Sequence, residues 1–138
     1  MKRGPAPSRM RIEYATECAL PAPPAYLSDR AKEIWLEIGT ELATGRLITT
    51  VDRLAFAKLC DYEAKWEASI TKAQNAGTDH VMINGQLCKE PNQARADEIA
   101  KTLRQWLGEF GMTPATRSSV KPLVATNASN ALQRFQIR

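Results

Sequence analysis

Two long runs of apolar residues at helical spacing are separated by a stretch that can continue neither of them. The first run is Val51, Leu54, Ala55, Leu59, Tyr62, Trp66, Ile70 and Ala73, and the second is Ala96, Ile99, Ala100, Leu103, Trp106, Leu107 and Phe110. Offsets of three and four keep each run on one face of a helix. Between them stand His80-Val81-Met82-Ile83, then Asn84-Gly85, then Gln86-Leu87-Cys88-Lys89. Asn-Gly supplies the two positive-φ positions of a type I′ turn, so this stretch reads as a tight β-hairpin. Two strands alone are marginally stable, so the hairpin must lean on helices or on a partner chain. The chain is therefore expected to be mainly α. Two long helices fold back on each other across a small hairpin.

The punctuation sets the remaining elements. Ser28 reads as the N-cap of a first helix, Asp29 to Thr44, with the stripe Ala31, Ile34, Trp35, Ile38 and Leu42. Asp29 and Glu33 suit the positive end of its dipole, and Gly45 is its expected stop. Tyr26 and Leu27 are placed to staple the start of that helix onto the body. Thr49 with Asp52 three residues on makes a start resembling a capping box for the second helix, which should run to about Asn75 before Gly77. Pro91 suits the start of a third helix ending near Phe110. Gly111 then provides a left-handed stop, and Thr113-Pro114 can open one further short turn. The expected fold is a bundle of three main helices with a small hairpin between the second and third.

Charge divides the chain of 138 residues into three parts. Residues 1–27 carry Lys2, Arg3, Arg9 and Arg11 against Glu13 and Glu17, a net +2. They also hold five prolines, which marks an extended basic arm. Residues 28–110 carry a net −2 and read as the helical core and oligomerisation unit, with the hairpin at 80–89. Residues 111–138 carry Arg117, Lys121, Arg134 and Arg138 with no acid, a net +4. A mildly acidic body with two basic ends suits a polyanionic partner, first of all nucleic acid.

The residues exclude more chemistry than they suggest. There is one histidine, His80, and the three cysteines Cys18, Cys60 and Cys88 form no CxxC pair. A metal site from Cys60, His80 and Cys88 matches no recurring ligand spacing, and nothing near Cys88 and His80 activates a nucleophile. No glycine-rich phosphate loop is present. The expectation is a non-enzyme without metal or cofactor, in a reducing compartment. No apolar run is long enough to span a membrane, and the N-terminus does not read as a secretory signal.

What remains is assembly and charge. Trp35, Ile38, Leu59, Tyr62, Trp66, Leu103, Trp106 and Phe110 read as core residues or as apolar faces that neighbouring copies would cover. A body this small leaves much apolar surface unburied, which favours a homo-oligomer. Two arrangements could meet DNA. The first two helices and their short turn could form a helix-turn-helix, but the second helix is long, apolar and of mixed charge. The basic arm and tail, contacting phosphates through Lys2, Arg3, Arg9, Arg11, Arg117, Lys121, Arg134 and Arg138, are the preferred reading.

Taken together, the landmarks Pro23-Pro24-Ala25-Tyr26-Leu27-Ser28, Ala31, Trp35, Leu42, Gly45-Arg46-Leu47-Ile48-Thr49, Asp52, Leu59-Cys60, Tyr62, Trp66, Asn84-Gly85, Pro91 and Phe110-Gly111-Met112-Thr113-Pro114 with Arg117 resemble the small subunit of phage terminase over about residues 23 to 118. The chain departs at Tyr26, where that family more often carries a Trp-Leu pair. The resemblance implies a helical protein assembling into a ring. It implies binding of viral double-stranded DNA at the packaging site, in the host cytoplasm. It further implies delivery of that DNA to the large terminase subunit, which holds the ATPase and nuclease. The rival reading is a helix-turn-helix transcription regulator.

Overall fold

The structure is a computed structural model that describes residues 18–120. Three helices carry the fold: α1 (Asp29–Thr44), α2 (Arg53–Ala76) and α3 (Pro91–Glu109). The hairpin of β1 (His80–Ile83) and β2 (Gln86–Lys89) joins α2 to α3, and a short α4 (Pro114–Arg117) follows. This is the expected mainly helical architecture, with the hairpin between the second and third helices.

Each helix end has a chemical cause. Ser28 Oγ accepts from the Ala31 amide at 3.3 Å and starts α1. The helix closes in a Schellman arrangement, in which the Leu47 amide donates to the Leu42 carbonyl at 2.8 Å and the Arg46 amide to the Ala43 carbonyl at 3.0 Å. The left-handed residue there is Arg46 at φ 54°, not Gly45, which keeps a right-handed φ of −75°. The same closure ends α3, through Met112 to Leu107 at 2.9 Å and Gly111 to Gly108 at 3.0 Å, with Gly111 left-handed. Thr49 begins the second helical segment, but as a single tight 3-10 turn over Thr50–Asp52 before α2 proper. The Asp52 carboxylate accepts from both the amide and the hydroxyl of Thr49, at 2.8 and 2.9 Å, and this draws the first turn in. At α3, Glu90 caps the helix by accepting from the Gln93 amide at 2.7 Å, just ahead of Pro91.

The hairpin register is Val81 opposite Cys88 and Met82 opposite Leu87, turned by Asn84 (φ 51°) and Gly85 (φ 79°). Both turn residues have the positive φ that a type I′ turn demands. No hairpin residue is buried, and Met82 and Leu87 are 66% and 69% exposed.

The core is centred on α2, which packs against both α1 and α3. Phe56 is the pivot. Its ring lies 4.7 Å from that of Trp35 on α1 and 5.6 Å from that of Phe110 at the end of α3. Around it are buried Ile34, Leu42, Ile48, Ala57, Leu59, Cys60 and Leu103. The expected α2 stripe traces only the side facing α3. Phe56 and Cys60 form a second stripe facing α1, whereas Val51 and Leu54, assigned to the apolar face, are exposed. Leu54 stands two residues from Phe56, about 160° around the helix, so the two cannot share a face.

The segment before α1 straps the bundle. Leu20 packs against the core, Leu27 is buried, the Trp35 indole donates to the Pro21 carbonyl at 3.0 Å, and Arg53 donates to the Ala22 carbonyl at 3.0 Å. Gly39 makes room for this strap, since a Cβ there would lie 2.4 Å from Leu20 Cδ1 and 3.1 Å from Phe56 Cε1. Leu27 alone staples the start of α1, for Tyr26 is 71% exposed.

Candidate nucleic-acid interface

The two ends of the described chain both run beside the Phe56–Phe110 aromatic pair. Leu20 lies against Gly39 and Phe56, and Phe56 stacks on Phe110. Gly111 follows Phe110, and a Cβ on Gly111 would be 2.9 Å from Val120 Cβ. The chain thus enters and leaves the folded body on either side of one aromatic cluster. Arg117, in the last turn of α4, is exposed beside this exit. Of the other cations assigned to phosphate contact, Lys2, Arg3, Arg9, Arg11, Lys121, Arg134 and Arg138 lie outside the described residues.

Among the described residues the remaining cations divide into engaged and free. Arg30 reaches Glu67 at 2.7 Å, Glu33 at 2.8 Å and Glu37 at 3.7 Å, tying α1 to α2. The Arg30 hydrogen bond holds the Glu67 carboxyl below its ordinary range, and the same partners raise Arg30. Lys65 pairs with Asp61 at 2.6 Å, and Lys89 pairs with Asp97, which lowers the Asp97 carboxyl. Lys58 sits 6.0 Å from the centre of the Trp106 ring. Lys58, Lys65 and Lys72 recur every seven residues on the outer face of α2. That regular spacing is the sequence signal for them, and the acids interleaved with it give the helix its mixed charge.

The residues read as core or contact surface split by depth. Trp35, Leu59, Leu103 and Phe110 are buried, while Ile38, Tyr62, Trp66 and Trp106 are half-buried and rest on the core. A cleft of about 400 Å³ is lined by Leu47, Asp52, Ala55, Gln105, Trp106, Glu109 and Phe110. Its charged walls are carboxylates, so it repels rather than binds phosphate. The 3-10 turn and the first turn of α2 display Val51 and Leu54, and Arg53 is held by the Ala22 carbonyl, so this start lacks the free Arg, Asn or Gln set of a recognition helix.

The reactive groups do not converge. Val81, not His80, faces Cys88 across the hairpin, so His80 and Cys88 point to opposite sides of the two strands. Cys60 is buried between helices, and desolvation pushes its thiol up to about 12. Burial also raises the Glu63 carboxyl, with Glu67 adding to the effect. Among the described residues no three His, Cys, Asp or Glu side chains gather as a metal site, and no helix is long and apolar enough to cross a membrane.

No curated protein and no solved structure gives a significant match to the chain. A family model described as phage terminase, small subunit, matches residues 31–126, from the buried face of α1 through the hairpin to beyond α4. With most of its length inside that match, the chain belongs to the phage terminase small subunit family.

Proposed function

We propose that the chain is the DNA-binding subunit of a phage packaging motor. In this reading it binds viral double-stranded DNA at the packaging site in the host cytoplasm and presents it to the large subunit, whose ATPase and nuclease it regulates. Membership of the family supports a role in packaging. The observation that supports the finer reading is that the chain enters and leaves the body on either side of the Phe56–Phe110 cluster. From there depart the two segments that hold the excess positive charge, while the body between them is net negative. Identical copies arranged in a ring would repeat those basic ends around one duplex. Contacts that are weak singly then add through their high local concentration. Such contacts read phosphate rather than bases, so they tolerate sequence and weaken steeply with salt.

Duplex binding across a salt series tests this. Replacing Arg9 and Arg11 with Gln should lower affinity for all duplexes alike and reduce the salt slope, by about one for each phosphate that is no longer neutralised. Unchanged affinity and slope in that variant, and in a second one lacking Arg117 and Lys121, would remove the charged ends from the account.

A further inference from the structure

Two exposed stripes of opposite charge run along opposite flanks of the α1–α2 pair. On α1, Asp29, Glu33, Glu37 and Glu41 recur every four residues. Glu33 and Glu37 stand two residues either side of Trp35, so both point about 160° away from the ring that packs on Phe56. Arg30 and Lys32 lie on the same helix and offset two of these four charges, Lys32 being 3.8 Å from Asp29. On α2, Lys58, Lys65 and Lys72 form a stripe that Asp61 offsets by one charge. Lys58 stands two residues from Phe56, and Lys65 two residues from Glu67, the partner of Arg30. The lysines therefore face away from α1, and Lys58, on the edge of this stripe nearest α3, lies over the Trp106 ring. Each stripe also carries an exposed leucine. Leu36, beside Glu37, is 58% exposed, and Leu54, one turn before Lys58, is 66% exposed.

Complementary stripes on opposite flanks cannot meet within one chain, but they can meet between chains. We propose that the acidic face of α1, with Leu36, docks on the lysine face of α2, with Leu54, of a second copy of this chain. The partner surface differs from the surface offered, so the contact is head-to-tail, and repetition closes a ring if the rotation permits. Within one chain, Trp35 lies level with Phe56 and Arg30 with Glu67. Docking without an axial step keeps that register and sets Lys58 level with Leu36 and Glu37, and Lys65 level with Asp29 to Glu33. Exposed ion pairs contribute little singly. They fix orientation and register here, and the covered leucines provide the apolar anchor. This inference rests on the reading of the chain as an assembling subunit and names the surface that assembles it.

The test uses the full-length chain and light scattering after gel filtration. One variant carries Leu36→Arg and Glu37→Lys on the α1 face, and another carries Leu54→Glu and Lys58→Glu on the α2 face. The wild-type chain is expected as a multi-copy particle and each variant alone as a single chain. Their equimolar mixture is expected to form a two-chain particle and nothing larger, because each variant keeps one intact face. All four positions are exposed, and a far-ultraviolet dichroism signal at the wild-type level confirms folding before mixing. Wild-type assembly that persists in either variant overturns the interface and leaves the packaging role standing. So does a mixture of folded variants that stays as single chains. A wild-type protein that is itself a single chain overturns the interface and the assembling-subunit reading together.

Discussion

Phe56 touches Trp35 on one side and Phe110 on the other, and it is fully buried. It joins the strap, α1 and the exit of α3 into one cluster. Phe56→Ala should lower stability by about 3–5 kcal/mol, the usual cost of emptying a packed aromatic site, as read by urea denaturation. The sequence pattern does not single it out, for a physical reason. A helix with two neighbours shows two overlapping apolar stripes, and the longer one, Ala55, Leu59, Tyr62 and Trp66, masks the other. Arg46 holds a left-handed backbone that a non-glycine residue reaches at a cost of about 1–2 kcal/mol. Arg46→Gly, after some loss to unfolded-state entropy, should raise stability by about 0.5–1 kcal/mol in the same measurement. Glycine at 45 points to the end of α1, but one residue early, because the closure is fixed by the Leu47 and Arg46 amides rather than by residue type alone.

Among the elements, the helices and the hairpin were legible because their signals are local. Ser28, Pro91, Asn84-Gly85 and Gly111 each act within a few residues of themselves. Burial was less legible, since it depends on which helix arrives on which side. Val51, Leu54 and Tyr26 are apolar residues that no described element covers. The strap over residues 20–27 follows the same rule, because Gly39 accommodates Leu20 only once Phe56 is in place. The α2 helix also carries an electrostatic cost. Burial first, and the neighbouring Glu67 second, raise the Glu63 carboxyl in the folded state. Its ionised form therefore penalises the native state in full above that raised value, and the penalty fades as the pH falls through it and is gone below the ordinary carboxyl value. Glu63→Gln should raise the melting temperature at neutral pH, with the gain shrinking toward zero on acidification. A gain independent of pH would assign the effect to packing instead. At the hairpin, Gly85→Ala places a side chain at φ 79° and should speed amide exchange across the Val81–Cys88 pair while leaving the helices protected.

For the molecule as a whole, the arrangement of charge matters more than any single contact. Residues 28–110 are net negative and their cleft is walled by carboxylates, while the cations in excess belong to residues 1–27 and 111–138. The charge asymmetry was readable from composition. The placing of both ends beside one aromatic pair was not, because it needs the fold to bring Phe56 onto Phe110. In the proposed assembly many copies of this chain gather those basic segments around one duplex. Native mass measurement of the purified chain, with and without a duplex at low salt, addresses it directly. The expected result is a particle of many identical chains that takes up a single duplex and releases it intact when salt is raised. A species of one chain mass that leaves the duplex free at low salt would rule that assembly out.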